Sequence, residues 1–435
     1  MKWNWTLLCL FWLSAAVNVS GQIQYEHPSI DYLKAPADNP VARLNAKIDA
    51  GEVTLKWEEE QGYLKSLLKE LKIPISSQVL VFSQTSLQLR KIHPRKPRAL
   101  YFNDDVYVGF VQRGDVLEIS ASDTKLGTVF YTLDQHPDEP VTMLRDRGVC
   151  LTCHATNRTQ GVPGHLVRSV FPDALGRPVL ASGTFTTDHT SDFEDRWGGW
   201  YVTGTHGAMR HMGNTVAVNR RKAESLDRNK EPNRTTLEGL VDTTPYLTPH
   251  SDLIALMVLE HQTQMHNRIA AATLETRIAL NQNQAMNEAL DRGEDYLSDS
   301  TQRRIESVAS KLVRYLLFEE EFLLTDPLKG TSDFAAEFSQ RGPKDEKGRS
   351  LRQLEMTQRM FQYPCSFLIY SDAFQQMPPR VHQRVLTLLH QELQPQGSED
   401  TELLIPAEQL SLEMRQDIHE ILLSTHQQYA KHVAP

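Results

Sequence analysis

Cysteine is scarce: four residues at positions 9, 150, 153 and 365 of a 435-residue chain are too few for a disulfide scaffold. Positive charge is also in deficit. Lys and Arg number 46 against 55 Asp and Glu, a net charge of −9, so no general field gathers nucleic acid or anionic lipid, and no nucleic-acid partner is expected. Beyond residue 21 no run approaches the ~18 apolar residues of a membrane-spanning helix. No internal repeat or low-complexity tract occurs, which argues against solenoids, collagen and disorder. What remains is ordinary globular composition, 40% hydrophobic, in a chain long enough for two or three domains.

Met1-Lys2, an apolar run from Trp5 to Val19, and Ser20-Gly21 before Gln22 read as a signal peptide over residues 1–21. The apolar run, about 15 residues, is short for a bilayer core of ~30 Å. An N-terminal membrane anchor is the alternative. Export places the protein in the periplasm or outside the cell, with no membrane span after signal cleavage. Cleavage also removes Cys9 and leaves an odd number of cysteines, which paired disulfides do not explain.

The expected fold class is α+β: a β-rich amino half over residues 22–218, a polar linker or long loop over 219–249, and a mainly helical half over 250–435. Leu64, Leu67, Leu68 and Leu71 recur at helical spacing within Leu55–Leu71. β-rich runs follow at 79–82, 99–102, 106–111, 116–119 and 128–133, punctuated by Asn103-Asp104, Arg113-Gly114-Asp115 and Leu126-Gly127. A second β-rich region is expected over Leu166–Phe171, Val179–Thr186 and Gly199–Gly204. Helical patterns cover Leu253–Leu290, capped by Ser251 or Asp252, then Thr301–Leu324, Leu351–Tyr363, Arg380–Leu393 and Leu410–Ala430. Gln340–Ser350 reads as a charged loop.

Cys150-Leu151-Thr152-Cys153-His154 carries the chemistry. Two thiols three positions apart can add to the two vinyl groups of one porphyrin edge, with the next His placed under the ring. By composition a C-x-x-C-H string is expected about 0.001 times in such a chain, so the pattern is specific. Two other readings compete. A redox dithiol would set its pair where a buried strand meets a helix start, whereas Arg145-Asp146-Arg147-Gly148-Val149 is a polar lead-in. A structural zinc site would need two further ligands, for which His206 and His211 are available.

The five residues resemble the attachment site of c-type cytochromes. That resemblance implies one covalent haem c, thioethers at Cys150 and Cys153, and His154 as the proximal iron ligand. Gly161-Val162-Pro163-Gly164 is similar to the turn that follows the motif in small class I cytochromes, which implies that the Pro163 carbonyl accepts a hydrogen bond from the His154 imidazole. The helix those cytochromes place before the motif is missing, so the likeness covers about 15 residues and argues for the cofactor rather than the cytochrome fold. Arg196-Trp197-Gly198-Gly199-Trp200-Tyr201 and Arg210-His211-Met212-Gly213-Asn214 resemble blocks in an uncharacterised family of exported bacterial haem proteins, a likeness that implies no activity.

The sixth iron ligand decides the function class. His206, Met209, His211 and Met212 crowd into ten residues among glycines, and His211 or Met212 is the leading distal candidate. His261 is the competing one. It lies with Ile254, Val258, Met265 and Ile269 on one stripe of the helix after Ser251, a position that more often holds a core histidine. Because the stripe needs an apolar partner, it is expected to pack near the haem. Cys365, in apolar text, reads as a buried inert thiol. Electron transfer with a redox partner protein or small-molecule oxidant is the leading expectation. A haem peroxidase-like oxidoreductase with an open distal side is the alternative, with Arg196, Arg210, His206 and His211 as candidate acid, base or charge-stabilising groups. A haem-dependent sensor or docking protein is a third class.

Overall fold

A computed structural model describes residues 25–138, 140–394 and 403–434; the expected signal peptide and Cys9 lie outside them. Two helices open the chain, α1 (Pro40–Asp49) and α2 (Leu64–Glu70), followed by six strands: β1 (Val79–Val81), β2 (Arg98–Phe102), β3 (Val106–Phe110), β4 (Val116–Asp123), β5 (Gly127–Asp134) and β6 (Met143–Arg145). The strands form one antiparallel sheet in chain order. Its turns are side-chain driven, as the sequence suggests. Asn103 Oδ1 accepts from the N–H groups of Asp105 and Val106 between β2 and β3, and Asp123 Oδ1 accepts from those of Lys125 and Leu126 before β5.

Because side chains alternate along a strand, the register sorts them into two faces. One carries Leu80, Ala99, Tyr101, Val108, Leu117, Ile119, Val129 and Leu133, all buried in a core shared with Val41, Leu44, Leu64, Leu67 and Leu68 of α1 and α2. The other carries Val79, Val81, Phe102 and Tyr107 toward the helical half. Its far end is more polar: Gly109, Glu118, Thr132 and Leu144 stand in one row across β3 to β6, with Ser120 and Phe130 in the next.

After the sheet comes one helical turn, α3 (Leu151–His154), then short paired strands β7 (Arg168–Val170) and β8 (Thr184–Thr186) and a two-residue strand β9 (Gly204–Thr205). The second β-rich region is therefore mostly irregular. Its backbone is satisfied by side chains: Ser169 Oγ accepts from Gly198 N–H at 2.7 Å, and Asn214 bonds both the N–H and the carbonyl of Val202. A Cβ at Gly198 would lie 2.1 Å from the Val170 carbonyl oxygen, so this close approach requires glycine. Residues 219–249 hold a single 3₁₀ stretch, Arg220–Ser225, yet Leu237, Val241 and Tyr246 are buried against the sheet core.

The carboxyl half is helical: α4 (Leu253–Ala289), α5 (Asp299–Leu316), α6 (Phe334–Gln340), α7 (Asp372–Gln375), α8 (Pro379–Leu393), α9 (Leu412–Thr425) and α10 (Gln427–Val433), with β10 (Lys329–Gly330) pairing back to β9. Three expected helices are shortened or missing. Leu55–Leu71 is helical only from Leu64, because Gly62 turns at φ +58° and bridges to Glu58. Thr301–Leu324 ends at Leu316, before left-handed Phe318 and Glu320. Leu351–Tyr363 is a tight turn, since the Glu355 carboxylate takes the N–H groups of Thr357, Gln358 and Arg359 and offers the backbone a better partner than a helix.

α4 is the axis of the molecule. Every residue from Leu253 to Asn267 is buried; Leu256, Val258 and Met265 belong to the helical core, while Ala270, Leu274 and Ile278 belong to the sheet core. Asp252 starts it. One carboxylate oxygen caps Ile254 and Ala255, and the other accepts from the N–H groups of Thr331 and Ser332 and from Ser332 Oγ. Asp252→Ala removes a cap and strands buried donors, an expected loss of about 3 kcal/mol in chemical denaturation, with Asp252→Asn intermediate.

The carboxyl groups of Asp105 and Glu321 are pushed up to about 7, chiefly by burial. Asp104 and Asp372 add to the shift at Asp105 against Arg43 and Arg352. The folded protein therefore holds these protons more tightly than the unfolded chain, so their contribution to stability is whole below about pH 4 and is lost as pH rises through about 7. Asp105→Asn is expected to remove its share of that loss, so that the melting temperature of the variant relative to wild type rises as pH goes from about 4 to 7.

Candidate functional site

Asp146 organises the approach to the motif. Its carboxylate accepts from the N–H groups of Gly148 and Cys150, and Cys150 then begins the helical turn, with His154 N–H bonded to the Cys150 carbonyl at 3.0 Å. Cys150 and Cys153 stand at i and i+3, on one side of that turn. Both are free thiols, Cys150 half-buried and Cys153 exposed. The Cys150 thiol is pushed up to about 12 by burial and by Asp146. A nucleophilic dithiol needs the opposite shift.

His154 Nδ1 lies 3.0 Å from the carbonyl oxygen of Gly164. A carbonyl only accepts, so Nδ1 carries the hydrogen and Nε2 keeps its lone pair. Nε2 has no hydrogen-bond partner among the described residues. Burial holds the imidazole below its ordinary value, so it is neutral at pH 7, the form that binds metals. The acceptor is not Pro163, as expected from the turn: the Pro163 carbonyl is taken by Thr128 N–H at 2.8 Å. The chain direction at the turn leaves the next carbonyl facing the ring.

That carbonyl is held from α4. Asn267 accepts from His165 N–H through Oδ1 and donates to the His165 carbonyl through Nδ2, both at 2.8 Å. A Cβ at Gly164 would sit 2.3 Å from Asn267 Oδ1. So α4 does reach the motif, but through Asn267 and not through the stripe of Ile254, Val258, His261, Met265 and Ile269, which is buried in the helical core.

The surroundings of His154 come from the polar end of the sheet. Phe130 packs on the imidazole at 4.8 Å between ring centroids. Arg98 and Glu118 form an ion pair at 2.6 Å, each 16% exposed, near enough to His154 for both charges to bear on its protonation. Arg168 is near enough to Cys153 for the thiol to bear on the guanidinium. Leu144 and Val149 are exposed apolar side chains on the same stretch of chain. An unpaired thiol couple, a neutral imidazole with one free nitrogen and two exposed apolar side chains close by in the chain are a donor set that fits a flat aromatic macrocycle that takes four of its metal's bonds itself. Among the described residues no three His, Cys, Asp or Glu side chains converge as a metal site, so Cys150 and Cys153 do not join His206 and His211 as a zinc site would require.

The distal candidates are held elsewhere in the fold. His261 has both nitrogens engaged, Nδ1 with His189 Nδ1 and Nε2 with Ser366 Oγ, each at 2.8 Å. Met212 is fully buried in a separate small core with Phe171, Val179 and Ala217, its sulfur 3.7 Å from Ser169 Oγ. His211 Nδ1 accepts from Gly213 N–H, so in the neutral ring Nε2 carries the hydrogen and offers no lone pair. His206 is likewise occupied, by the Met209 carbonyl and Asn233 N–H. Arg196 pairs with Glu260 inside the protein, and Arg210 bonds Asn229 and nearby carbonyls. Among the described residues, none of these six shares a hydrogen bond or ring contact with Cys150, Cys153 or His154. Cys365 is fully buried, as expected, and burial pushes its thiol up.

Sequence reasoning missed Gly164, Asn267, Phe130, Arg98 and Glu118. Two signs were present: the polar run from His261 to Asn267 inside an otherwise apolar helix, and the alternation that sets Glu118, Ser120 and Ser122 on one face of β4. Asn267→Ala is expected to strand both buried polar groups of His165, to cost about 2–3 kcal/mol, and to speed amide exchange at His165.

No protein-family model matches the chain, and no curated protein or solved structure matches it either.

Proposed function

We propose that Cys150 and Cys153 hold one haem c covalently, that His154 is its axial ligand, and that the protein transfers electrons outside the cytoplasm. The observation that carries this reading is the pair of free thiols on one side of a single helical turn whose last residue is a neutral imidazole with Nδ1 fixed and Nε2 free. When bound, haem supplies reversible one-electron chemistry. The chain's own part is to orient the imidazole through Gly164, to raise its donor strength by that hydrogen bond, and to border the group with Phe130 and the Arg98–Glu118 pair. The apolar segment before Gln22 supports export, and the redox partner is a protein or a small-molecule oxidant.

One observation favours the peroxidase-like alternative: His211, Met212 and His261 are all committed elsewhere, which supports an open sixth position.

Protein made in a host that attaches haem c is expected to keep one haem per chain after denaturation, and Cys150→Ala/Cys153→Ala to lose it. Haem released from the wild type, or retained covalently by the double variant, rejects the assignment. Carbon monoxide then separates the two activities. A changed ferrous spectrum supports the open site, and an unchanged one supports a six-coordinate carrier.

A further inference from the structure

Between α4 and α5 lies a cleft of about 440 Å³, within the range of small-molecule sites. Arg303, Ser307 and Lys311 line it from α5 at i, i+4 and i+8, and Arg268 faces them from α4. The charges are mostly unneutralised. Arg304 is paired with Glu275 at 2.6 Å and Gln282 at 2.7 Å, but Arg303 and Lys311 have no hydrogen-bond or ion-pair partner among the described residues. The Arg268 guanidinium lies 5.7 Å from the Tyr315 ring centroid, and its buried Nε has no acceptor. In a chain whose net charge is −9, Arg268, Arg303 and Lys311 line one concave space whose carboxylate, Glu275, is already paired with Arg304, a repulsion that a bound anion relieves.

We infer that this cleft is a binding site for a small multivalent oxyanion bearing phosphate or carboxylate groups. Two guanidinium groups supply forked N–H donors, Lys311 a point charge, and Ser307 a hydroxyl that can donate, a set matched to oxyanion lone pairs. The cleft volume suits a ligand of small-molecule size. Gln160, in the loop that follows His154, also lines the cleft, which brings an occupant next to the segment that carries the motif. The inference stands on these residues alone and does not depend on the haem assignment.

Calorimetric titration of the full chain with pyrophosphate and with citrate, at low ionic strength, tests it. Binding of at least one with a Kd of about 1 mM or tighter is expected, weakened about tenfold or more in Arg303→Gln/Lys311→Gln. Both residues are exposed, so the variant should fold normally. A control, Lys34→Gln/Lys69→Gln, removes the same charge from exposed positions elsewhere and should bind as the wild type does. Preference for pyrophosphate assigns phosphate groups to the ligand, and preference for citrate assigns carboxylates. Absence of binding by both anions, an undiminished affinity in the cleft variant, or an equal loss in the control overturns the site.

Discussion

Burial of α4 on all sides over its first turns is the constraint from which the rest follows. A surface helix shows water its polar face, but here Glu260, His261, Gln262, Thr263, Gln264, His266 and Asn267 are all enclosed. Each needs a partner inside the protein. Gln262 reaches the Asn103 carbonyl and the Tyr107 hydroxyl, His266 the Asp104 carbonyl, and Asn267 the backbone of His165. These bonds fasten the helix to the β2–β3 turn and to the loop behind His154. The polar residues of α4 therefore join the two halves, while its apolar residues fill both cores.

The Arg196–Glu260 pair shows the same constraint at its most costly. Both side chains are wholly inaccessible, and burial pushes the Glu260 carboxyl up against the pull of Arg196. Such a pair adds little net stability, but either partner alone would leave an uncompensated charge in the core. Arg196 avoids further cost by donating to the Ser191 and His189 carbonyls. It was expected near the haem as a charge-stabilising group, and its role in the fold is instead to hold the 189–196 loop against α4.

What could be read from the sequence was local. Cys150 to His154 declare their spacing, and the strands of the sheet follow from alternation and turn residues, because each turn is closed by side chains within a few positions, as at Asn103 and Asp123. Residues 166–218 resisted reading because their backbone partners are remote or irregular: Ser169 for Gly198, Asn214 for Val202. Leu351–Tyr363 has helical spacing, and one carboxylate, Glu355, overrides it. What occupies the distal candidates was hidden for a subtler reason. Residue type says that a histidine could bind iron, but the availability of its lone pair is set by which nitrogen already has a partner, and Gly213, His189 and Ser366 decide that only once the chain is folded.

The His189–His261 contact has an implication of its own. Two neutral rings facing each other nitrogen to nitrogen hold one hydrogen between them, so their tautomers are complementary. If His261 donates from Nδ1, its Nε2 must accept from the Ser366 hydroxyl, and His189 must carry its own hydrogen on Nε2, which is buried without a partner. If His189 donates, His261 must give its hydrogen to Ser366 Oγ, and the His189 Nε2 lone pair is the one left unanswered. Ser366, His261 and His189 thus form a chain with a single direction, set as a unit, and reversing it requires every hydrogen along the chain to move together.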